Sequence, residues 1–540
     1  MKIIFFHSFL FIFIIYIHGF IFLNKILRIN RKNNFYEISL IGLVISIFFA
    51  QFLNFFIPLN DNLLIFNIVL LLIYSIFFYK ILIKDISFNL IITIPLLLVA
   101  FMNIYGSGFS DDINHYHYSY IANADVGNFI WGNSFLHPLY GTNPTWLTAH
   151  SYFNFDQFKL QDIHVLNGII LFLVLGSLFL ELYSKSKEKF YYPILFSVIL
   201  FILLKYTRLK EFGIDRPSTL LFCFLIFYYL KYFLSSNKNE LLKNFIIICL
   251  LSLCIFSIKI IYLPILLFPL IIFYKNRSIL FKKDSCYLIL LLPIKVIIFK
   301  NLLGSGCLLY PLASSCIDFF SWSNFIGANE LTISAEIFNK SWHSYTGSLN
   351  KENYIKNFNW FNTWLIRSYV EILELILLSF LIVFITVFSF SLKFKKKKYL
   401  MHSNSKDFTI ILFLIIISSI LIYLLKNPVI RMYHFVIISL MILIISSFFT
   451  FEIEKYKNNF MTTILIFGII FNLSKNFLRI SKNDFINNPY SMISEKVSKQ
   501  EKNNIGTFKY YIGWFGNAPI GNTSLKDKRF KKIFNFKIIY

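Results

Sequence analysis

Residues 375–398 read LILLSFLIVFITVFSFSLKFKKKK. From Leu375 to Leu392 no side chain is charged, and then five lysines arrive in six positions. Wound as a helix at about 1.5 Å per residue, the uncharged part is about 27 Å long, close to the ~30 Å hydrocarbon core of a bilayer. A helix in a soluble core would carry a polar face over such a length. Lysines flanking an apolar span are retained on the cytoplasmic side. The stretch therefore specifies a membrane crossing and also its direction.

Working outward, the same pattern recurs along the chain. The 540 residues are 57% hydrophobic and 20% aromatic, with a mean hydropathy of +0.66. Fourteen apolar spans are expected, near 3–23, 36–58, 62–79, 87–105, 164–182, 190–206, 217–234, 244–257, 260–274, 286–303, 368–392, 407–425, 432–450 and 459–474. The pair 244–257 and 260–274 is short for full crossings. The net charge of +25 resides largely in short loops such as NKILRINRKN, SKSKEK, KNRSILFKK and KFKKKK. Charge so placed follows the positive-inside rule and argues against nucleic-acid binding. With those loops in the cytoplasm, both termini lie outside, as do loops 106–163 and 304–367. The expected class is an all-α polytopic membrane protein, with a transmembrane domain over 1–474 and a small extracytoplasmic tail over 475–540. Lys2 precedes an apolar run but no small-residue cleavage site closes it, so a retained first span is expected.

One outer stretch is out of character. GSGFSDDINHYHYSY, residues 106–120, sets two acids and two histidines directly behind an apolar span. Ser110 as an N-cap with Asp111 and Asp112 in a first helical turn would account for the acids. It leaves unexplained why His115, His117, His137, His150 and His164 all fall in or beside this loop. Ionisable clusters at membrane-embedded cavities tend to be functional. Asp and His are both metal ligands, so a divalent ion stays an open alternative, although no pair has a sharp ligand spacing.

Several cations also fall on the disfavoured side. Lys205, Arg208, Lys210 and Arg216, with Asp215, lie outside in KYTRLKEFGIDRPST; Lys259 sits at an outer turn, and Lys426 and Arg431 flank NPVI. Lipid headgroups would offset them, and so would a bound phosphate, which Arg pairs bidentately. All seven tryptophans fall in outer segments, fitting either interfacial anchors or sugar-stacking platforms. Cys307 and Cys316 share one outer loop, where an oxidising compartment permits a disulfide. Cys223, Cys249, Cys254 and Cys286 fall in spans as small hydrophobes. No P-loop, dinucleotide fingerprint, zinc-protease helix or nucleophile elbow occurs in a credible context, which argues against an ATP-driven pump or a serine hydrolase.

An acidic pair opening the first large outer loop of a polytopic chain resembles the GT-C superfamily, membrane glycosyltransferases that use polyprenyl-phosphate sugars. The chain is most similar to a family of bacterial multi-pass proteins grouped with them. The shared elements are Asp112 with Tyr116–His117, LHPLYGTNPTW with His137, Asn143 and Trp146, Asp215 in IDRPS, Lys259 in an apolar run, and NLLGSGCLLYP. The resemblance covers residues 90 to 450. It implies an enzyme of the bacterial inner membrane with its site on the periplasmic face, inverting the transferred sugar. Asp112, with Asp111, would serve as general base and His117 would tune it. His137, Asn143, Trp146 and Asp215 would contact substrate, and Arg216, Lys259 and Arg431 the departing phosphate. An O-antigen polymerase or ligase and a non-enzymatic flippase of lipid-linked glycan are the alternatives. The first typically rests on Arg and His alone, and the second predicts charges in mid-span.

Overall fold

The computed structural model describes residues 2–28, 34–85, 90–105, 112, 116–142, 144–154, 165–183, 192–207, 213–235, 238–280, 288–391, 403–448, 459–482, 503–505, 508–510, 514–515, 518–519, 530–533 and 536–540. Asp111, His115, Asn143, His164, Arg208, Lys210, Cys286 and the lysine run 395–398 lie outside the described residues.

Helices occupy all fourteen expected positions. They are α1 (Lys2–Phe20), α2 (Phe35–Asn54), α3 (Asp61–Asp85) and α4 (Leu90–Ile104); then, past the short α5 (Tyr118–Val126) and α6 (Thr145–Tyr152), α7 (Val165–Tyr183), α8 (Tyr192–Lys205), α9 (Asp215–Leu234), α10 (Lys238–Ile258), α11 (Leu267–Leu280) and α12 (Leu288–Ser305). Two more short helices, α13 (Phe325–Asn339) and α14 (Lys351–Ile355), precede α15 (Phe361–Ser391), α16 (Ser403–Leu425), α17 (His434–Phe448) and α18 (Asn459–Lys482). Among the described residues ten helices are long and apolar enough to cross a membrane, so the chain has the build of a multi-pass membrane protein. α4 and α8 are apolar but shorter.

The doubtful pair near 244–274 proves long enough. α10 starts at Lys238 because the polar KNELLKN also winds helically, giving 21 residues, and the following segment Ile260–Arg277 has 18. Between them Lys259 is extended (φ −156°, ψ 128°) and leads into a 3-10 turn over Ile260–Leu266, and α11 packs back on α10. Breaking a helix strips its last carbonyls of partners. Buried Lys300 meets that need, donating to the Ser257 carbonyl at 2.5 Å, while the Thr145 and Ser257 hydroxyls pair at 2.7 Å.

α1 and α2 cross without intervening side chains. A Cβ on Gly19 would stand 2.0 Å from the Ile38 carbonyl oxygen, and one on Gly42 1.8 Å from that of Ile15. Between apolar helices in lipid, such close approach supplies the dispersion contact that holds them together.

Ion pairs gather the helix ends into two sets. Lys231 lies 3.1 Å from Glu37 and 4.0 Å from Glu181, Glu37 also accepts from the Tyr228 hydroxyl, and Lys275 pairs with Asp407. All of these stand at ends that the basic loops assign to the cytoplasm. Asp112, Lys205, Asp215, Lys259, Glu336, Lys426 and Arg431 pair among themselves and with Glu374 near the opposite ends.

In the second outer segment Cys307 and Cys316 are disulfide-bonded. Their Cα atoms are 3.6 Å apart, nearer than the usual ~4.4–6.8 Å, and the two residues face one another as an isolated antiparallel bridge. The C-terminal tail departs from the all-α expectation with three short antiparallel hairpins, the last joining Phe530–Ile533 to Phe536–Ile539. Its end docks on the first outer loop: the Trp131 N–H donates to the Lys537 carbonyl at 2.9 Å, and the Ile539 N–H to that of Trp131 at 3.0 Å. Gly132 permits this, with φ +73° and the Ile539 carbonyl oxygen 2.3 Å from where a Cβ would stand.

Candidate functional site

Four charged residues from distant parts of the chain meet at one face. Asp215 is the first residue of α9, where a carboxylate is favoured by the helix dipole. Its backbone carbonyl accepts from Thr219 at 3.1 Å and from the Tyr262 hydroxyl at 3.3 Å. Lys259, freed from helical geometry by the break after α10, reaches Asp215 Oδ1 at 2.7 Å. Arg431 sits in the 3-10 turn Ile430–Tyr433 that opens α17, a turn pinned by Trp364 Nε1 donating to the Pro428 carbonyl at 2.6 Å. Its Nε is 3.4 Å from Asp215 Oδ2 and its Nη2 3.5 Å from Asp112 Oδ2.

Two carboxylates and two cations make the cluster neutral, so it can hold together in a membrane protein without a counter-ion. Exposure grades it. The Arg431 and Asp112 side chains are 54% and 38% exposed, against 22% and 17% for Lys259 and Asp215. Asp112 and Arg431 therefore form the open mouth, and Asp215 with Lys259 the floor. The contacts of Arg431 are longer than the ~2.7–2.9 Å of a tight charge-assisted bond, and a guanidinium has five N–H donors.

His117 is buried beside this cluster. Burial pushes its imidazole down to about 4; Asp112 and Asp215 work against that shift, and Lys259 and Arg431 add to it. It is thus neutral near pH 7. Since the folded value lies below the ordinary 6.5, the neutral form is favoured by folding. Its contribution is complete above pH 6.5 and is lost as pH falls toward 4, by about 3 kcal/mol. Thermal unfolding of the detergent-solubilised protein is expected to show that loss, and His117→Asn to remove most of it. Equal acid sensitivity in the two proteins would exclude His117 as the cause.

An aromatic row extends from His117. Tyr116 meets it edge-on at 4.2 Å and stacks on His137 at 6.2 Å, and His137 is 5.2 Å from Tyr140. His137 Nδ1 accepts from the Leu139 N–H at 3.1 Å, which leaves the proton of the neutral ring on Nε2. His137 is thus one ring removed from the charges.

Other expected site residues fall elsewhere. Trp146, read as a substrate contact, is completely buried and packs edge-on against His150 at 5.3 Å, because α6 is enclosed on every side. Trp360 and Trp364 are likewise buried, in a cluster with Tyr354, Leu375 and Ile430, so they serve packing and not a sugar platform. Arg216 follows Asp215 on α9, near Tyr206 and His434, which pair at 3.3 Å. Lys426 is engaged by Glu336 at 2.7 Å and Lys205 by Glu374 at 2.9 Å. Asp111 and Asn143 are outside the described residues. Among the described residues no group of three or more His, Cys, Asp or Glu side chains is placed to hold a metal ion. Asn103, Asn472, Asn476 and Arg479 also pair with one another, and their one local signal in the sequence is the pair of amides four apart, Asn472 and Asn476, in an apolar helix.

Fold and site together define a multi-pass helical membrane protein with an ion-paired carboxylate site at one face. The chain belongs to the family described as Domain of unknown function (DUF8201), whose model matches residues 1–438 and so includes all four members of the cluster. It has no match among curated proteins or among solved structures.

Proposed function

We propose that the protein is a membrane glycosyltransferase that moves a sugar from a polyprenyl-phosphate donor to an acceptor hydroxyl, with fourteen crossings and its site outside the cytoplasm. One observation carries the reading: Asp112, a half-exposed carboxylate, faces the half-exposed guanidinium of Arg431 across the mouth of a neutral ion cluster at the helix ends. A base and an anion-binding group thereby stand at one site, and entry of the sugar between them parts their contact so that Asp112 faces the acceptor and Arg431 the phosphate. The acceptor oxygen attacks the anomeric carbon on the face opposite the phosphate, and its proton passes to an Asp112 oxygen. The bond from the anomeric carbon to the phosphate oxygen breaks, and its electron pair leaves on the phosphate beside Arg431. The configuration at that carbon inverts. Lys259, held by Asp215 at 2.7 Å, anchors the carboxylate that aims Arg431, so its role is positional and not direct phosphate binding.

The test is transfer by the purified protein in liposomes, offered polyprenyl-phosphate-linked hexoses and a mixed cell-envelope acceptor fraction. Label moving from lipid to acceptor supports the reading, and a donor carried across the bilayer unchanged would favour the flippase alternative. Reporter fusions at residue 400 and at the C-terminus are expected in opposite compartments. Finding both in the same one would overturn the crossing count.

A further inference from the structure

We infer that α18 is a positioning element for the site: Asn472 and Arg479 clamp the ends of α4 and α8, the two helices that precede Asp112 and Asp215 in the chain. The inference rests on reading Asp112 as the base and Asp215 as the carboxylate that aims Arg431. A helix that ends within a membrane protein leaves its last carbonyls without partners, and no water replaces them in an apolar surround. At α4, Arg479 Nη2 donates to the carbonyls of Met102 and Tyr105, 2.7 Å each. At α8, Asn472 Nδ2 donates to the carbonyls of Leu203 and Tyr206 at 2.8 and 3.1 Å. The two caps are joined. Asn472 Oδ1 accepts from Asn103 on α4 at 2.9 Å and from Asn476 at 3.1 Å, and Asn476 Oδ1 accepts from Arg479 Nε at 3.3 Å. Asn103, Asn472 and Asn476 are completely buried, so each lost bond leaves a desolvated polar group behind.

The clamp stands where each site segment begins. Asp112 follows Tyr105 by seven positions, and Asp215 follows Tyr206 by nine. α18 lies after the matched residues 1–438, so the clamp comes from outside that part of the chain. Setting α4 and α8 in one register is what allows Arg431 to touch both carboxylates. A loose α4 end would let Asp112 move away from Arg431 while Asp215 stayed with Lys259.

The test reads geometry and needs no transfer. Spin labels go on Asp112→Cys and Ser348→Cys in the full-length protein, with Cys223, Cys249, Cys254 and Cys286 replaced by alanine, and their separation is measured by pulsed electron resonance. One narrow distance is expected with Arg479 present and its loss in Arg479→Leu. Arg479→Lys, which lacks the planar fork, should fall between. A control pair on Glu330→Cys and Ser348→Cys should stay narrow throughout. An unchanged Asp112 distance in Arg479→Leu, even with reduced melting temperature, would reduce α18 to general scaffolding. Should Arg479→Leu fail to accumulate, Asn476→Ala, which removes the oxygen orienting Arg479, is read by the same criterion. In a transfer assay the clamp predicts lower kcat at unchanged donor KM. Absence of transfer by the wild type would defeat the glycosyltransferase reading alone, since the label distances do not depend on it.

Discussion

Asp112→Asn is expected to slow sugar transfer by about 10²–10⁴-fold while the protein still accumulates in the membrane. The amide keeps the size of the carboxylate and still offers one oxygen to Arg431, but it cannot take a proton from an acceptor hydroxyl. Asp112 is half-exposed and its contact with Arg431 is 3.5 Å, so the stability change should resemble that of a surface pair, within about 1 kcal/mol. Catalysis and folding thus separate. Transfer is measured from a lipid-linked donor at matched protein amounts, with melting temperature recorded alongside. Wild-type rates in Asp112→Asn would reduce the aspartate to an ion-pair partner and remove the base from the proposed reaction.

Arg431→Gln is expected to lower turnover by about 10²–10³-fold, the usual cost of deleting one preorganised donor to a developing anion. The guanidinium spans Asp112 and Asp215 at 3.5 and 3.4 Å and carries a fixed charge, a combination glutamine cannot reproduce. Arg431→Lys should recover little, because a point charge cannot hold Asp215 and a phosphate in the planar, forked manner of a guanidinium. The double variant Asp112→Asn with Arg431→Gln should fall well short of the product of the two single losses, since the residues act as a unit. Full multiplicativity would mean that they serve independent steps. A rise in donor KM alone for Arg431→Gln would restrict the arginine to binding the lipid phosphate before reaction.

The sequence by itself determined that this chain has the build of a multi-pass helical membrane protein and where its long apolar helices lie. The reason is that length and apolar content of a segment act against the bilayer directly, one segment at a time, with no tertiary information needed. The same holds for the cysteine pair, whose nine-residue separation already limits how far apart the two can be. Asp112, Asp215, Lys259 and Arg431 could each be picked out as charges poorly placed for their position. Only the tertiary structure decided that Arg431 pairs with Asp112 and Asp215 and that Lys259 is the floor of the cluster. It alone made Trp146 a packing residue, Lys300 the cap of a broken helix, and Asn472 and Arg479 the link between α4 and α8. Contacts such as Asn103 to Asn472 join residues 369 positions apart. Pairing and burial of this kind depend on how helices pack side by side, and a local pattern along one helix carries no record of its neighbours.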